Sequence, residues 1–153
     1  MTPATLSALL ALTLAQDPQP VPAGLGPRID QVVQVVDGRW VLVAASGTDD
    51  DRVHQWRRVN EIMTLQARQF ATEQEAERHV KALVAELAVR PEESLKVGRF
   101  GVRIEWGDGR SSVYLATGRT AIVISAPTAE LSKRLSRQAA VEFAERQKIS
   151  ASR

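Results

Sequence analysis

The chain contains no cysteine. That excludes a disulfide scaffold, a thiol nucleophile and any zinc or iron–sulfur centre held by thiolates. It has two histidines, His54 and His79, which excludes a His-rich metal centre. Aromatic residues are scarce at 5%. The longest apolar run, near the N-terminus, is about ten residues, half of the roughly 20 a membrane-spanning helix needs. No G-x-S-x-G elbow, P-loop or H-E-x-x-H pattern occurs. The net charge of +2 is too small to make the whole protein a polyanion binder by long-range electrostatics.

What is present suits one small globular domain. The 153 residues are 44% hydrophobic and 25% charged, close to ordinary globular values. The basic residues are 16 Arg and 4 Lys, a bias that a GC-rich bacterial genome also produces. The positive excess is local. Beyond Thr128, Lys133, Arg134, Arg137, Arg146, Lys148 and Arg153 outnumber Glu130, Glu142 and Glu145.

Residues 1–15 carry no charged side chain and hold the short apolar run, with Thr13 and Ala15 at the −3 and −1 positions of a cleavage site before Gln16. This pattern reads as a signal peptide, with an N-terminal helix as the alternative. A basic n-region is missing. Residues 16–27 contain four prolines and two glycines and read as an extended linker. The expected address is periplasmic or secreted, with no stable transmembrane span after processing; the alternative is cytoplasmic.

Residues 28–148 are expected to form one α+β domain. Asp30–Ala45 holds two β-branched runs around Asp37-Gly38 and predicts a two-residue hairpin. Residues 53–70 fit a helix by one spacing and a strand by another, and a strand over about 58–70 is favoured because Met63–Arg68 alternates. Thr72 and Glu75 form a capping box before a helix reaching about Val89. Phe100–Trp106, Val113–Ala116 and Ala121–Ser125 predict a three-strand meander, with Gly107-Asp108-Gly109 as a turn. Thr128 opens a last helix with Leu131, Leu135, Ala139 and Phe143 inward, and residues 149–153 are read as a disordered tail. Residues 28–90 and 97–148 therefore share a plan of strands followed by a helix. Such a chain should form antiparallel sheet with the two main helices on one face.

Candidate chemistry is sparse. His54 lies near Asp49, Asp50 and Asp51, which could support acid–base work, but no nucleophile is placed beside it. Those three acids lack the alternating ligands of a calcium loop and read as solvated. Gly107–Ser112 reads as a turn rather than a phosphate cradle, because no helix follows it. No catalytic residue, metal ligand or cofactor is assigned. Trp56, Arg57, Arg58 and Arg68 set guanidinium groups beside an aromatic ring and are the candidate ligand or nucleic-acid contacts. The block from Gly38-Arg-Trp to Phe70-Ala-Thr-x-x-Glu-Ala resembles, over residues 38–88, the three-strand-plus-helix arm-binding domain of phage integrases. The resemblance is consistent with nucleic-acid contact and transfers no residue role. Val32–Val36 and Ala121–Ile124 are candidate exposed sheet edges. The sequence thus points to a non-enzymatic binding or assembly module. Such a module would engage a protein partner, or itself, through a sheet edge or helix face. Nucleic-acid binding through the arginine-rich strand is the alternative.

Overall fold

The computed structural model describes the backbone of residues 24–151 and the side chains of residues 24–144. Residues 1–15 and most of the proline-rich stretch lie outside the described residues. The elements are α1 (Leu25–Val36), β1 (Val41–Gly47), β2 (Asp51–Arg58), β3 (Glu61–Gln69) and α2 (Glu73–Leu87). They continue with β4 (Glu93–Ser94), β5 (Phe100–Glu105), β6 (Ser111–Thr117), β7 (Thr120–Ala126) and α3 (Ala129–Ala151). All seven strands join one antiparallel sheet in the order β1-β2-β3-β7-β6-β5-β4. The expected α+β class with antiparallel sheet is what the chain forms. Among the described residues no helix is long and apolar enough to cross a membrane.

The largest departure from expectation is α1. The segment read as the first arm of a hairpin is a helix. Ile29, Val32, Val33 and Val36 recur at helical spacing; the first three are buried and Val36 packs against their cluster. A β-branched residue loses at most about 0.7 kcal/mol of helix propensity, whereas burying such a side chain is worth about 1.5–3 kcal/mol. Burial wins. The helix also absorbs the end of the expected linker. Pro27 stands in its first turn, where a missing N–H costs nothing. Asp37-Gly38 is not a hairpin turn but the helix end: the Asp37 N–H donates to the Val33 carbonyl at 2.8 Å, and the Asp37 carboxylate accepts from the Arg39 N–H at 3.0 Å.

Residues 53–70 resolve into a hairpin, with β2 and β3 joined at Val59-Asn60. The period-two reading of Met63–Arg68 holds: Met63, Leu65 and Ala67 are all fully buried. The helical spacing of Val53, Trp56 and Met63 has another origin, for Trp56 and Met63 sit directly opposite each other across β2 and β3. The Thr72 hydroxyl accepts from the Glu75 N–H at 3.1 Å, as the capping pattern predicts, and α2 ends at the left-handed Ala88. The β5–β6–β7 meander, its Gly107–Gly109 turn and the Thr128 cap of α3 also match expectation. The α3 backbone runs to Ala151, past the point where a tail was expected.

Strand alternation sorts the core into two layers. Trp56, Met63, Leu65, Ala67, Val113, Leu115, Ile122, Ile124 and Ala126 share one face and pack with α1 and α3. Phe100, Tyr114, Ala116 and Ala121 point the other way and pack around Val80 of α2. The two main helices were expected on one face; they lie on opposite faces, with α1 supplying the companion to α3. Both α2 and α3 cover the β6–β7 half, so that half is buried on both sides; among the described residues α1 is the helix that packs on β2 and β3, and β1 stays exposed. The strand triplets do mirror each other about the β3–β7 junction, but the helices do not follow that symmetry. The unit of three strands and a helix over residues 38–88 is likewise not self-contained, since α2 leaves its own strands for β6 and β7.

On the α2 face, the Phe70 and His79 rings lie 4.9 Å apart. Burial, then the charge of Arg68, holds the His79 imidazole below its ordinary value of 6.5, against a smaller opposing pull from Asp51 and Glu86. The folded protein therefore favours the neutral ring. Its contribution to stability is present above about pH 6.5 and is lost as the pH falls below that value. Denaturant midpoints measured between about pH 7.5 and 5.5 should fall toward acid, and His79→Gln should flatten that slope. Equal slopes in both proteins would show that His79 does not couple protonation to folding.

Candidate functional site

The position most open to a partner is β1, the outer strand next to β2. Its sequence, Val-Leu-Val-Ala-Ala-Ser-Gly, carries no charge, and every residue is exposed. Val41 is 63% and Val43 49% exposed. An outer strand leaves a row of backbone N–H and C=O groups without sheet partners, and native edges are usually blunted by lysine, proline or inward charges. None of these interrupts β1; it carries only a bulge between Leu42 and Ala44. The opposite edge, β4, is two residues long. The expected edges are elsewhere: Val32–Val36 is the last part of α1, and Ala121–Ile124 lies in β7, between β3 and β6 at the sheet centre. Gly47 ends β1 at φ +103°, where a Cβ would fall 2.1 Å from the Asp51 carbonyl oxygen. Only glycine permits so tight a return into β2.

A cavity of about 140 Å³ opens beside this edge, between α1 and the start of the β1–β2 hairpin, lined by Trp40, Trp56, Leu42, Val33, Asp30 and Asp37. Trp40 is 6% and Trp56 3% exposed. The volume fits one amino-acid side chain and falls well short of the roughly 300–1,000 Å³ typical of small-molecule sites. The Trp40 indole N–H finds no acceptor among the described residues, and an unpaired buried donor costs about 1–3 kcal/mol. Asp37 binds two guanidinium groups: Arg39 through Nε at 3.0 Å and a terminal nitrogen at 3.1 Å, and Arg58 at 2.7 Å. The Arg39 side chain, then its backbone N–H, holds this carboxyl well below the usual carboxylate range. Arg58 also lies 5.3 Å over the Trp40 ring, a cation–π contact that fixes the cavity wall.

His54 ties α1 to β2. Its Nδ1 lies 2.8 Å from the Asp30 carboxylate, and Arg52 lies 3.3 Å from its Nε2. Arginine only donates, so Nε2 accepts and Nδ1 carries the hydrogen. The carboxylate partner is thus Asp30, 24 positions earlier, rather than Asp49–Asp51. The ring is buried, with both nitrogens engaged.

The four residues singled out by sequence do not share a face. Trp56 points inward beneath α1, and Arg58 follows it onto the same side. Arg57 and Arg68 project from the face opposite α1, at opposite ends of the β2–β3 hairpin, about 20 Å apart at 3.3 Å per residue. Arg68 is opposite Asp51 and lies over the Phe70 ring at 5.0 Å. Among the described residues no group of three or more His, Asp or Glu side chains is placed to hold a metal ion. Sequence reading missed Trp40, Asp30 and Asp37 as members of one site. The only signal was the helical spacing hidden in the Val-rich run, which would have turned Asp30 toward the sheet.

Because the Asp37 carboxyl is held low, its stabilising contribution is complete above its ordinary value of 3.8 and drains away as the pH falls below that value. Glu77 and Glu93, held low by hydrogen bonds from Lys81 and Arg99 and from Lys133 and Arg103, act in the same direction. Thermal midpoints recorded from about pH 5 to pH 2 should therefore drop, and Asp37→Asn should remove part of the drop while lowering the midpoint at neutral pH. Identical acid profiles would separate Asp37 from the stability of this corner. No protein-family model, curated protein or solved structure matches the chain.

Proposed function

We propose that the protein is a non-enzymatic binding module that accepts an extended segment of a protein partner along β1. The observation that carries this reading is the strand itself: seven consecutive uncharged residues, all exposed, with one side unpaired. A peptide strand added there would gain main-chain hydrogen bonds from backbone groups that otherwise face solvent. Its alternate side chains would lie toward Leu42 and the Trp40–Trp56 cavity, which has room for one of them. Affinity would come from the ladder and selectivity from the cavity. Nucleic-acid binding is the less supported reading, because the arginines proposed for it are divided between two faces. Retention of mixed oligonucleotides at low salt, lost on raising the salt and weakened by Arg57→Ala with Arg68→Ala, would favour it instead. The exported address rests on residues 1–15, and intact-mass measurement of natively produced protein showing them retained would remove it.

Selection of displayed peptides on the immobilised protein provides the test. Binders should be extended and alternately apolar. They should slow amide hydrogen exchange in residues 41–47 and lose at least about tenfold affinity on Val43→Lys, which adds an edge charge without touching the core. Binders that leave β1 exchange unchanged and tolerate the lysine would overturn the reading.

A further inference from the structure

The charges at the two ends of β1 identify a partner for it. Arg39 precedes the strand with a 77% exposed side chain, and exposed Arg57 lies opposite Val41 at the same end. The other end runs into Asp49 and Asp50, both exposed, followed by Asp51. Arg39 is shared with Asp37 at the first end, and Arg52 lies opposite Gly47 at the second; with these counted, the edge is net basic at its start, uncharged through its middle and net acidic at its finish. A strand that lies antiparallel to it and matches it should be acidic, uncharged and basic in turn, and reversing β1 itself yields that order.

We infer that the occupant of the β1 edge is a second copy of this chain, paired antiparallel about a two-fold axis to make one continuous fourteen-stranded sheet. This deepens the strand-binding reading and rests on it. Register follows from the faces. Leu42 and Ala45 are opposite Trp56 and His54, on the helix-covered side, while Val41, Ala44 and Ser46 are opposite Arg57, Gln55 and Val53, on the other. A one-residue slip would turn covered-side residues against open-side ones. With the bulged pair Leu42-Val43 counted as one position, a two-fold at Ala45 keeps both sheet faces continuous. Ala44 then meets Ser46 of the other copy, Val41 meets Thr48, and the Arg39 end lies beside the Asp49–Asp50 turn, where the chain has already crossed toward β2. Both ends close with opposite charges, and no like charges meet along the seven residues. Such an isologous contact closes on itself and leaves only the two-residue β4 strands as outer edges, so the assembly stops at two. Strand pairing alone buries little surface, which places this dimer among the weaker interfaces.

Analytical ultracentrifugation of the full chain tests this. The wild type should form dimers at about 100 µM, and protection of the 41–47 amides should rise with concentration. Val43→Lys should weaken dimerisation at least tenfold. Arg39→Glu, and separately Asp49→Lys with Asp50→Lys, should each weaken self-association about tenfold at low salt. An equimolar mixture of these two variants should restore it, because each then offers the other an opposite charge at both ends. Destabilised folding would not produce that restoration. A wild type that sediments as a 16.8 kDa monomer up to about 500 µM, a dimer unaffected by Val43→Lys, or a mixture no tighter than its components would overturn the proposal. A monomer whose 41–47 amides are still protected by a displayed peptide sinks self-pairing and spares the strand-binding reading. Amides that respond to neither peptide nor concentration sink both.

Discussion

Burial of one sheet face beneath α1 and α3 is the interaction on which the rest of the molecule depends. The layer is continuous across the β3–β7 junction, so the first and second strand triplets share a single core rather than two. Its largest buried members include Phe143 of α3, Leu25 and Ile29 of α1, and Met63, Leu65, Ile122 and Ile124 from both sides of that junction. At about 1.5–3 kcal/mol for each fully buried side chain, this face outweighs any single polar contact in the structure. The register of β3 against β7, Leu65 opposite Ile124 and Ala67 opposite Ile122, lets both halves present apolar groups to the same side.

The same layer explains the asymmetry. The three helices among the described residues do not cover both faces of the seven strands. With α2 and α3 spent on opposite sides of β6 and β7, α1 is the helix left for the β1–β3 half, and it packs on one side of β2 and β3. The other side of that half is mostly polar: Gln55, Arg57, Thr64, Gln66 and Arg68, joined by Val53 and Ile62, alternate with the buried set. The outer strand gains no cover from the described residues. Its lack of charge is then conspicuous, because a solvated edge normally carries the residues that prevent pairing.

Polar groups hold the margins of this arrangement. His54 pins α1 through Asp30, and Asp37 gathers Arg39 and Arg58 where α1 turns into β1. On the far side, Arg103 reaches Glu93 at 2.8 Å and Ser111 at 3.2 Å, and Lys133 of α3 reaches Glu93 at 2.7 Å. That buried arginine is satisfied by hydrogen bonds as well as charge, the condition under which such a group is tolerated in a core. Alternation places Arg103 with Gly101 and Glu105, yet only the fold shows that this is the side that meets α3.

Much of the local structure was legible in the residues themselves. The β5–β7 meander, the Thr72 and Thr128 caps and the alternation of Met63–Arg68 follow from short-range pattern and turn chemistry, which act within a few residues. The α+β class followed from their order. The tertiary structure decided what depends on distant partners. Val32–Val36 became helix because a buried stripe outweighs β-branched preference once a sheet is there to receive it. Ala121–Ile124 became the centre of the sheet because β3 pairs with it from more than fifty residues away. The helices chose their faces, the four singled-out residues were divided between two sides, and β1 was left bare for the same reason: periodicity marks which residues share a side but not which side will be covered.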